Sequence, residues 1–188
     1  VSVPDERLTK LAEIVKPGRI VPAVCDIVDI AGLVKGASKG EGLGNQFLAN
    51  IRECDAIIHV LRCFDDSGIV HVDGSVDPVR DKEIIDMELQ LKDLETLENR
   101  AKRVEKAARV GGDKAAKIEM DVIDTYRKVL LEGKSARTVS FETEDEQAAA
   151  KSLFLLTAKP VLYVCNVDDK SASTGNEHTA RVAEAIKD

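Results

Sequence analysis

The chain has 188 residues, of which 44% are hydrophobic and 3% aromatic, and its formal net charge is −7. The length suits one domain with an insertion, or one and a half domains, and the composition fits a globular protein. The scarcity of aromatic rings argues against a base-stacking surface, and the acidic balance argues against general nucleic-acid binding. No apolar run reaches the roughly 18 residues that a membrane-spanning helix needs, so we expect no membrane anchor.

The first part of the chain predicts alternating helices and strands. Apolar residues at three- and four-residue spacing indicate helices, and short β-branched apolar runs indicate buried strands. A loop with five glycines implies tight backbone turns or close approach to a ligand. In chain order we predict a helix at 5–16, a buried strand at 20–28, the glycine-rich loop at 31–44, a short helix at 45–52, a buried strand at 56–61 and a long loop at 63–78.

A long helical hairpin is predicted in the middle of the chain. From Arg80 onward, apolar residues recur at three- and four-residue steps with charges between them, which is the pattern of an amphipathic helix with a coiled-coil seam. Gly111 and Gly112 break this helix, and a second helix ends near Gly133. The first helix would extend about 40 Å, longer than a compact core requires, so we expect an arm that projects.

The last part returns to alternating helix and strand, with a helix at 142–155, a buried strand at 160–165 and a helix at 177–187. This alternation predicts an α/β fold with a mostly parallel sheet, of the P-loop NTPase type in part, that carries the antiparallel hairpin as an insertion. The chain has no initiator methionine and no strand after its last helix, so we expect the sheet to continue beyond both ends. The expected organisation is the first part of the nucleotide-binding domain at 1–79, the hairpin at 80–140 and the second part of that domain at 141–188.

The four cysteines form no Cys-x-x-Cys pair and have no histidine at metal-ligand spacing. We therefore expect reduced, buried thiols in a cytoplasmic protein. These residues are Cys25, Cys54, Cys63 and Cys165.

The first motif with chemical content is Asp29-Ile30-Ala31-Gly32, which follows a predicted buried strand. In nucleoside-triphosphate hydrolases an aspartate at this position reaches Mg²⁺ through a water, and the glycine three residues on donates its N–H to the γ-phosphate. The pattern is short, and Asp65-Asp66-Ser67-Gly68 fits it as well. An aspartate that merely ends a strand is the alternative reading of Asp29.

The second motif is Asn166-Val167-Asp168-Asp169, again after a predicted buried strand. GTPases read guanine with Asn-Lys-x-Asp, in which the carboxylate accepts from the base and the lysine stem packs on it. Val167 replaces that lysine here, so we expect weaker guanine recognition. A turn rich in Asn and Asp is the alternative.

A specific resemblance emerges from the longer segments around these motifs. The run from Asp29 to Arg52 resembles the second switch of Obg-like proteins, and its extension Phe47-Leu48-Ala49-Asn50-Ile51-Arg52 resembles the YchF branch in particular. Three further segments support the same branch: Val60-Leu61-Arg62-Cys63-Phe64, Ile69-Val70-His71-Val72 and Gly111-Gly112-Asp113-Lys114. The similarity extends over essentially the whole chain.

The resemblance implies an ATPase whose cofactor is Mg²⁺, with K⁺ as a second candidate ion. Asp29 matches the Mg²⁺-linked aspartate and Gly32 the γ-phosphate-sensing glycine. Leu33 takes the place of the glutamine that orients the attacking water in many GTPases, and the resembling proteins use a loop histidine instead, which is His71 here. The alternative for His71 is a loop histidine of no special role.

The resemblance also bears on the nucleotide base. Asn166, Val167 and Asp169 match the base-recognition motif, commonly Asn-x-x-Glu, of a family that prefers ATP over GTP. Asp169 is one methylene shorter than that glutamate and closer to the guanine-reading form. Of the remaining histidines, we expect His59 to belong to the core, and His178 carries no functional signal.

The chain contains no G-x-x-x-x-G-K-[ST] loop. In the resembling proteins this phosphate-binding loop lies upstream of the position of Val1, and a small TGS domain lies beyond that of Asp188. Because the loop supplies most partners of the β- and γ-phosphates, we expect the 188 residues alone to bind nucleotide weakly or not at all and to be catalytically inactive.

Charge along the predicted arm is divided. Residues 81–98 carry a net charge of −5, whereas residues 100–117 carry +5 from seven basic and two acidic side chains. A solvated helical face is one reading. The other is a contact between this basic tip and ribosomal RNA, which fits the ribosome association of the resembling family.

The leading hypothesis is a monomeric, cytoplasmic ATPase switch associated with the ribosome. A conventional GTP-binding switch is one alternative, because Asp169 is closer to the guanine-reading motif. A scaffold that does not hydrolyse nucleotide, in which the α/β core only carries the arm, is the other.

Overall fold

A computed structural model describes residues 1–30, 44–69, 71, 74–110 and 113–187. They belong to two compact units, Val1–Gly32 and Leu33–Asp188. The first unit contains helix α1 (Glu6–Val15), and the second contains all the other elements. These are α2 (Gly44–Glu53), β1 (Ile57–Arg62), α3 (Pro78–Val110), α4 (Lys114–Leu131), a 3₁₀ turn (Ala136–Thr138), α5 (Glu144–Ser152), β2 (Val161–Asn166) and α6 (Glu177–Ala185).

In the first unit, α1 forms where the apolar periodicity predicts a helix. Asp5 caps it by accepting a hydrogen bond from the Arg7 backbone N–H at 2.9 Å, and Lys16 ends it in the left-handed region with φ of 46°. No side chain of α1 is buried.

The strand predicted at 20–28 is wrong for this structure. Its residues form only an isolated antiparallel bridge between Ser2 and Val24, and Val21 and Ile27 are 64% and 65% exposed. An apolar run becomes a buried strand only where neighbouring strands complete its hydrogen bonds and another layer covers its side chains. Among the described residues of this unit, the segment forms backbone hydrogen bonds only with Val1–Val3. The predicted burial of Cys25 fails for the same reason, since this thiol is exposed, whereas Cys63 is buried, and all four cysteines are free.

In the second unit, β1 and β2 form a parallel pair in register from Ile57 opposite Val161 to Arg62 opposite Asn166. This confirms the α/β fold class and the positions of both strands. Their predicted burial holds for one face only, since Val60 and Leu162 on the other face are 61% and 62% exposed. One face packs against α6 and the start of α3 through Leu61, Cys63 and Val182. His59 lies on the same side of β1 as Leu61, half-buried beside the Tyr163 ring, and burial lowers the pKa of this imidazole.

The hairpin predicted in the middle of the chain is present. Arg100 pairs with Glu119, and the Gln90 side chain donates to the Gly133 carbonyl at 3.0 Å, so α3 and α4 run antiparallel. With 33 residues, α3 is about 50 Å long. Its middle and α4 also form a hydrophobic core together with the 3₁₀ turn and the segment after α5. The buried members of this core are Leu97, Val122, Ile123, Tyr126, Leu130, Ala136, Leu153 and Leu155.

A buried carboxylate ties α3 to the segment that precedes β2. The Asp93 side chain has no solvent exposure and accepts hydrogen bonds from Leu156 N at 2.8 Å, Thr157 N at 2.8 Å and Thr157 Oγ1 at 2.7 Å. These bonds fix the arm helix relative to β2. None of the helices in the described part of the chain is long and apolar enough to span a membrane.

Candidate nucleotide-binding site

The two residues of the first motif belong to the first unit. Asp29 is described and exposed, like the rest of the segment before it. Gly32 lies outside the described residues, as does most of the glycine-rich loop.

The second motif lies at the carboxyl end of β2, where α/β sheets bind their ligands. Asn166 and Asp169 are exposed there. Val167 instead packs against the cluster of Leu61, Cys63 and Val182 beneath the sheet. Asp168 accepts a hydrogen bond from the Ser171 backbone N–H at 2.9 Å, and bonds to Ser171 hold the pKa of the Asp168 carboxyl below its ordinary value. The turn after β2 therefore leaves Asn166 and Asp169 at the surface.

Arg62 connects this edge of the sheet to the loop that leads to His71. It lies opposite Asn166 in the register, and its guanidinium donates to the carbonyls of Phe64 at 3.2 Å, Asp66 at 3.3 Å and Ile69 at 3.0 Å. The guanidinium also lies 4.8 Å from the centre of the Phe64 ring. One side chain thus holds the course of the loop over residues 64–69.

His71 is half-buried at the start of α3. Its Nε2 lies 2.9 Å from Asp81 Oδ2, and the side chain is 16% exposed. Arg80 donates to the other oxygen of the same carboxylate through Nε at 3.1 Å and Nη2 at 3.0 Å. The imidazole is therefore oriented by a carboxylate that is itself fixed, which is the arrangement that positions a histidine for proton or water chemistry.

Asn176 ties α6 to the end of β1. Its side-chain oxygen caps α6 by accepting from Thr179 N at 3.0 Å, and its Nδ2 donates to the Cys63 carbonyl at 2.7 Å. The Cys63 backbone N–H in turn donates to the Asn166 carbonyl at 2.7 Å. The end of β1 is thereby bound on one side to the second motif and on the other to α6.

Replacing Asn176 by alanine is expected to lower the free energy of unfolding by about 1 to 2 kcal/mol, because a helix cap and a bond to a strand-end carbonyl are lost together. Urea denaturation of the chain followed by circular dichroism measures this change. Ser173→Ala, in the exposed loop before α6, is the control and should stay within about 0.5 kcal/mol. Equal stabilities of the two variants would contradict the assigned role of Asn176.

The first motif offers Mg²⁺ one carboxylate, that of Asp29. In the parts of the chain that the structure describes, no three His, Cys, Asp or Glu side chains are grouped to hold a metal ion. Exposed Asp29 fits the usual mode for Mg²⁺, in which one or two carboxylates act together with waters and substrate phosphates.

No role is predicted from the sequence for four residues that the structure shows to be important: Arg62, Asp81, Asp93 and Asn176. Asn176 had a readable signal, since Asn-x-x-Thr precedes a helix as a capping pattern. The other three lie in charged or mixed stretches without a distinctive pattern. The structure joins Asn166 and the loop before His71 through Arg62, and it describes Asp29 in a separate unit.

The chain is similar to known proteins over nearly all its length. Residues 9–103 match the family described as 50S ribosome-binding GTPase. The ribosome-binding ATPase YchF of Bacillus subtilis is 50% identical over 186 residues, covering 98% of this chain and 50% of the relative. Obg-like ATPase 1 of Saccharomyces cerevisiae is 47% identical over 192 residues, covering 99% and 48%.

A solved structure leads to the same family. The Schizosaccharomyces pombe YchF GTPase matches with a TM-score of 0.78 and 41% identity, over 99% of this chain and 50% of that one. The chain spans about half the length of the curated relatives it matches. With Asn166 at the end of β2 and with its helical hairpin, this chain belongs to the YchF family of Obg-like ATPases.

Proposed function

We propose that this chain supplies the switch and base-recognition parts of a molecular switch that hydrolyses ATP and acts at the ribosome. The observation that carries the proposal is the exposure of Asn166 and Asp169 together at the carboxyl end of a parallel strand. The names of the relatives, ribosome-binding ATPase YchF and Obg-like ATPase 1, support the activity and the partner.

In the proposed reaction the phosphoryl group passes to water, and the protein contributes positioning and charge rather than a covalent step. Mg²⁺, when bound, neutralises charge on the phosphates. Asp29 would hold the ion through a water, and the Gly32 N–H would contact the γ-phosphate. His71 would orient the attacking water, because Leu33 offers no polar group. K⁺ remains a second candidate ion.

ATP is the proposed substrate in preference to GTP. Guanine-reading proteins place a lysine stem against the base, whereas Val167 is apolar and packs inward. Asn166 and Asp169 then remain as the polar groups for the base. The shortness of Asp169 relative to the glutamate of the family motif is the specific feature that favours the alternative, a conventional GTPase.

The nucleotide-binding domain is proposed to comprise residues 1–79 and 141–188, with residues 80–140 as the arm. We place the protein in the cytoplasm as a monomer. The basic tip at residues 100–117 is the proposed contact with the ribosome or its RNA. Lys102, Lys106, Lys114 and Lys117 form no ion pair with any side chain within the described ranges, so their charge is available to a polyanion.

Binding of Mg²⁺–ATP and Mg²⁺–GTP to the complete gene product, measured by calorimetry beside the 188-residue chain, tests the proposal. We expect ATP to bind more tightly than GTP and the shorter chain to bind neither. Tighter GTP binding would establish the GTPase alternative. If neither nucleotide bound the complete protein, the ATPase proposal would be wrong and the scaffold alternative would replace it.

A further inference from the structure

The first turn of α3 holds Asp81 in a fixed position. Asp77 caps the helix by accepting from Val79 N at 3.2 Å and from Arg80 N at 3.3 Å. The Asp77 carbonyl also accepts from Asp81 N at 3.0 Å. The helix dipole favours the negative charge of Asp81 in this turn. Arg181 of α6 donates to both oxygens of the Asp77 carboxylate, at 3.1 Å and 3.2 Å, so a second helix fixes the same turn.

Arg80 ties the segment before α3 to the same turn. Its guanidinium donates to the Ser75 hydroxyl at 3.2 Å and to the Ser75 carbonyl at 2.7 Å, besides its two bonds to Asp81 Oδ1 at 3.1 Å and 3.0 Å. Gly74 N donates to the His71 carbonyl at 3.0 Å, and the φ of 78° at Gly74 is a conformation that favours glycine. The backbone of His71 and the side chain of Asp81 are therefore both held in place before they meet.

The two oxygens of the Asp81 carboxylate have different partners. Oδ1 accepts from the Arg80 guanidinium, whereas Oδ2 lies 2.9 Å from His71 Nε2. An ionised carboxylate only accepts hydrogen bonds, so Nε2 must carry the proton in its bond to Oδ2. In a neutral imidazole the lone pair then lies on Nδ1. The carboxylate thereby selects one of the two tautomers of His71.

We propose that Asp81 is a positioning residue of the hydrolytic step, which keeps the ring proton of His71 on Nε2 and leaves Nδ1 to accept a hydrogen bond from the attacking water. A histidine that orients water needs a defined acceptor nitrogen, because a ring with its proton on the other nitrogen would present an N–H group instead. Asp81 acts through the imidazole rather than by contact with the nucleotide. The inference rests on the proposed role of His71 and deepens it.

An amide in place of this carboxylate is expected to reverse the tautomer. In Asp81→Asn the Arg80 guanidinium still needs an acceptor, so the amide oxygen takes the place of Oδ1 and the amide NH₂ group faces His71 Nε2. Nε2 must then accept, which places the ring proton on Nδ1. The corresponding change in the serine protease triad leaves the geometry intact and lowers kcat by about 10⁴, because the histidine is held in the wrong tautomer.

The position of the ring proton can be measured in the complete gene product without nucleotide. When the histidines carry a nitrogen isotope label, the chemical shifts of the two ring nitrogens identify the protonated one, and the signals lost in His71→Ala are those of His71. We expect the proton on Nε2 in the parent protein and on Nδ1 in Asp81→Asn. A proton on Nδ1 in the parent protein would overturn the inference, whatever the folding of the Asp81 variant.

Hydrolysis of Mg²⁺–ATP by the same preparations gives the functional readout. We expect Asp81→Asn to lower kcat by a factor of about 10² to 10³, with little change in the affinity for Mg²⁺–ATP. Asp81→Glu keeps the carboxylate on a longer side chain and should recover most of this loss. Equal losses in the two variants would show that the charge of Asp81 is not what hydrolysis requires, and would contradict the proposal.

Asp65→Asn is the matched control, because Asp65 Oδ2 faces His178 Nε2 at 3.2 Å much as Asp81 Oδ2 faces His71 Nε2. Its turnover should equal that of the parent protein. If His71→Ala lowers turnover and Asp81→Asn does not, the inference about Asp81 is wrong and the proposed role of His71 stands. If His71→Ala also leaves turnover unchanged, the proposed role of His71 fails, and this inference fails with it.

Discussion

Replacing His71 by alanine is expected to reduce ATP turnover by the complete gene product by a factor of about 10² to 10⁴ and to leave Mg²⁺–ATP affinity nearly unchanged. In the proposed reaction His71 orients the attacking water and makes no contact that holds the nucleotide in the ground state. A loss confined to the chemical step is the signature of such a residue. Single-turnover hydrolysis and equilibrium binding, measured on the same preparation, separate the two effects.

His178 provides a matched control for this experiment. Its imidazole also faces a carboxylate, with Nε2 3.2 Å from Asp65 Oδ2, and its side chain is 19% exposed against 16% for His71. It lies on α6, away from the switch segments in the sequence. His178→Ala should leave turnover unchanged. Equal losses in the two variants would show that pairing with a carboxylate, rather than the position of His71, causes the defect.

Replacing Asp93 by alanine is expected to lower the free energy of unfolding by about 3 to 5 kcal/mol. The substitution leaves the backbone N–H groups of Leu156 and Thr157 buried without acceptors. It also releases a turn in which Phe154 has φ of 49°, a conformation that few residues other than glycine adopt. Urea denaturation of the chain measures the loss.

Asp124→Ala is the control for Asp93. Asp124 is 57% exposed on α4 and lies 3.5 Å from Arg127, so its removal should cost less than about 1 kcal/mol. A comparably small effect of Asp93→Ala would show that the turn is held by its packing rather than by the carboxylate.

Asp93 is also expected to make the free energy of unfolding depend on pH. Burial raises the pKa of the Asp93 carboxyl above 3.8, against the opposing effect of its hydrogen bonds. The folded chain therefore binds this proton more tightly than the unfolded chain, so the contribution of Asp93 to stability is largest at acid pH and falls as pH rises through the raised pKa. The stability difference between the parent and Asp93→Asn should accordingly shrink as pH rises over this interval. A difference that grows with pH would contradict the raised pKa.

Local periodicity explains which elements could be predicted. The helices of the second unit follow from apolar residues at three- and four-residue spacing, and both strands follow from short apolar runs. The strand predicted at 56–61 is observed at Ile57–Arg62. The segment 20–28 has an equally good strand pattern, but a strand also needs neighbours to bond with. Sequence pattern identifies a candidate strand and does not supply its partners.

The candidate site could likewise be predicted only in part from the sequence. The position of Asn166 and Asp169 at a strand end follows from the apolar run before them. The inward packing of Val167 was also readable, because alternation along β2 places it on the same side as Tyr163 and Cys165. The role of Asp93 could not be predicted, since it lies among other acids of α3 and its partners are 63 and 64 residues away. The pairing of His71 with Asp81 could not be predicted either, because it depends on the path of the loop that Arg62 holds.

Helix α3 is continuous from the surroundings of His71 to the basic tip. The helix begins beside His71, is fixed near its middle by Asp93 and ends at the basic tip. The Pro78 end of α3 lies about 22 Å from Asp93 and the Val110 end about 26 Å from it, so Asp93 is close to the middle of the helix. A tilt of about 5° around it moves each end by about 2 Å in opposite directions. If α3 tilted as a rigid body around Asp93, a displacement of its histidine end would be accompanied by one of nearly equal size and opposite direction at the tip.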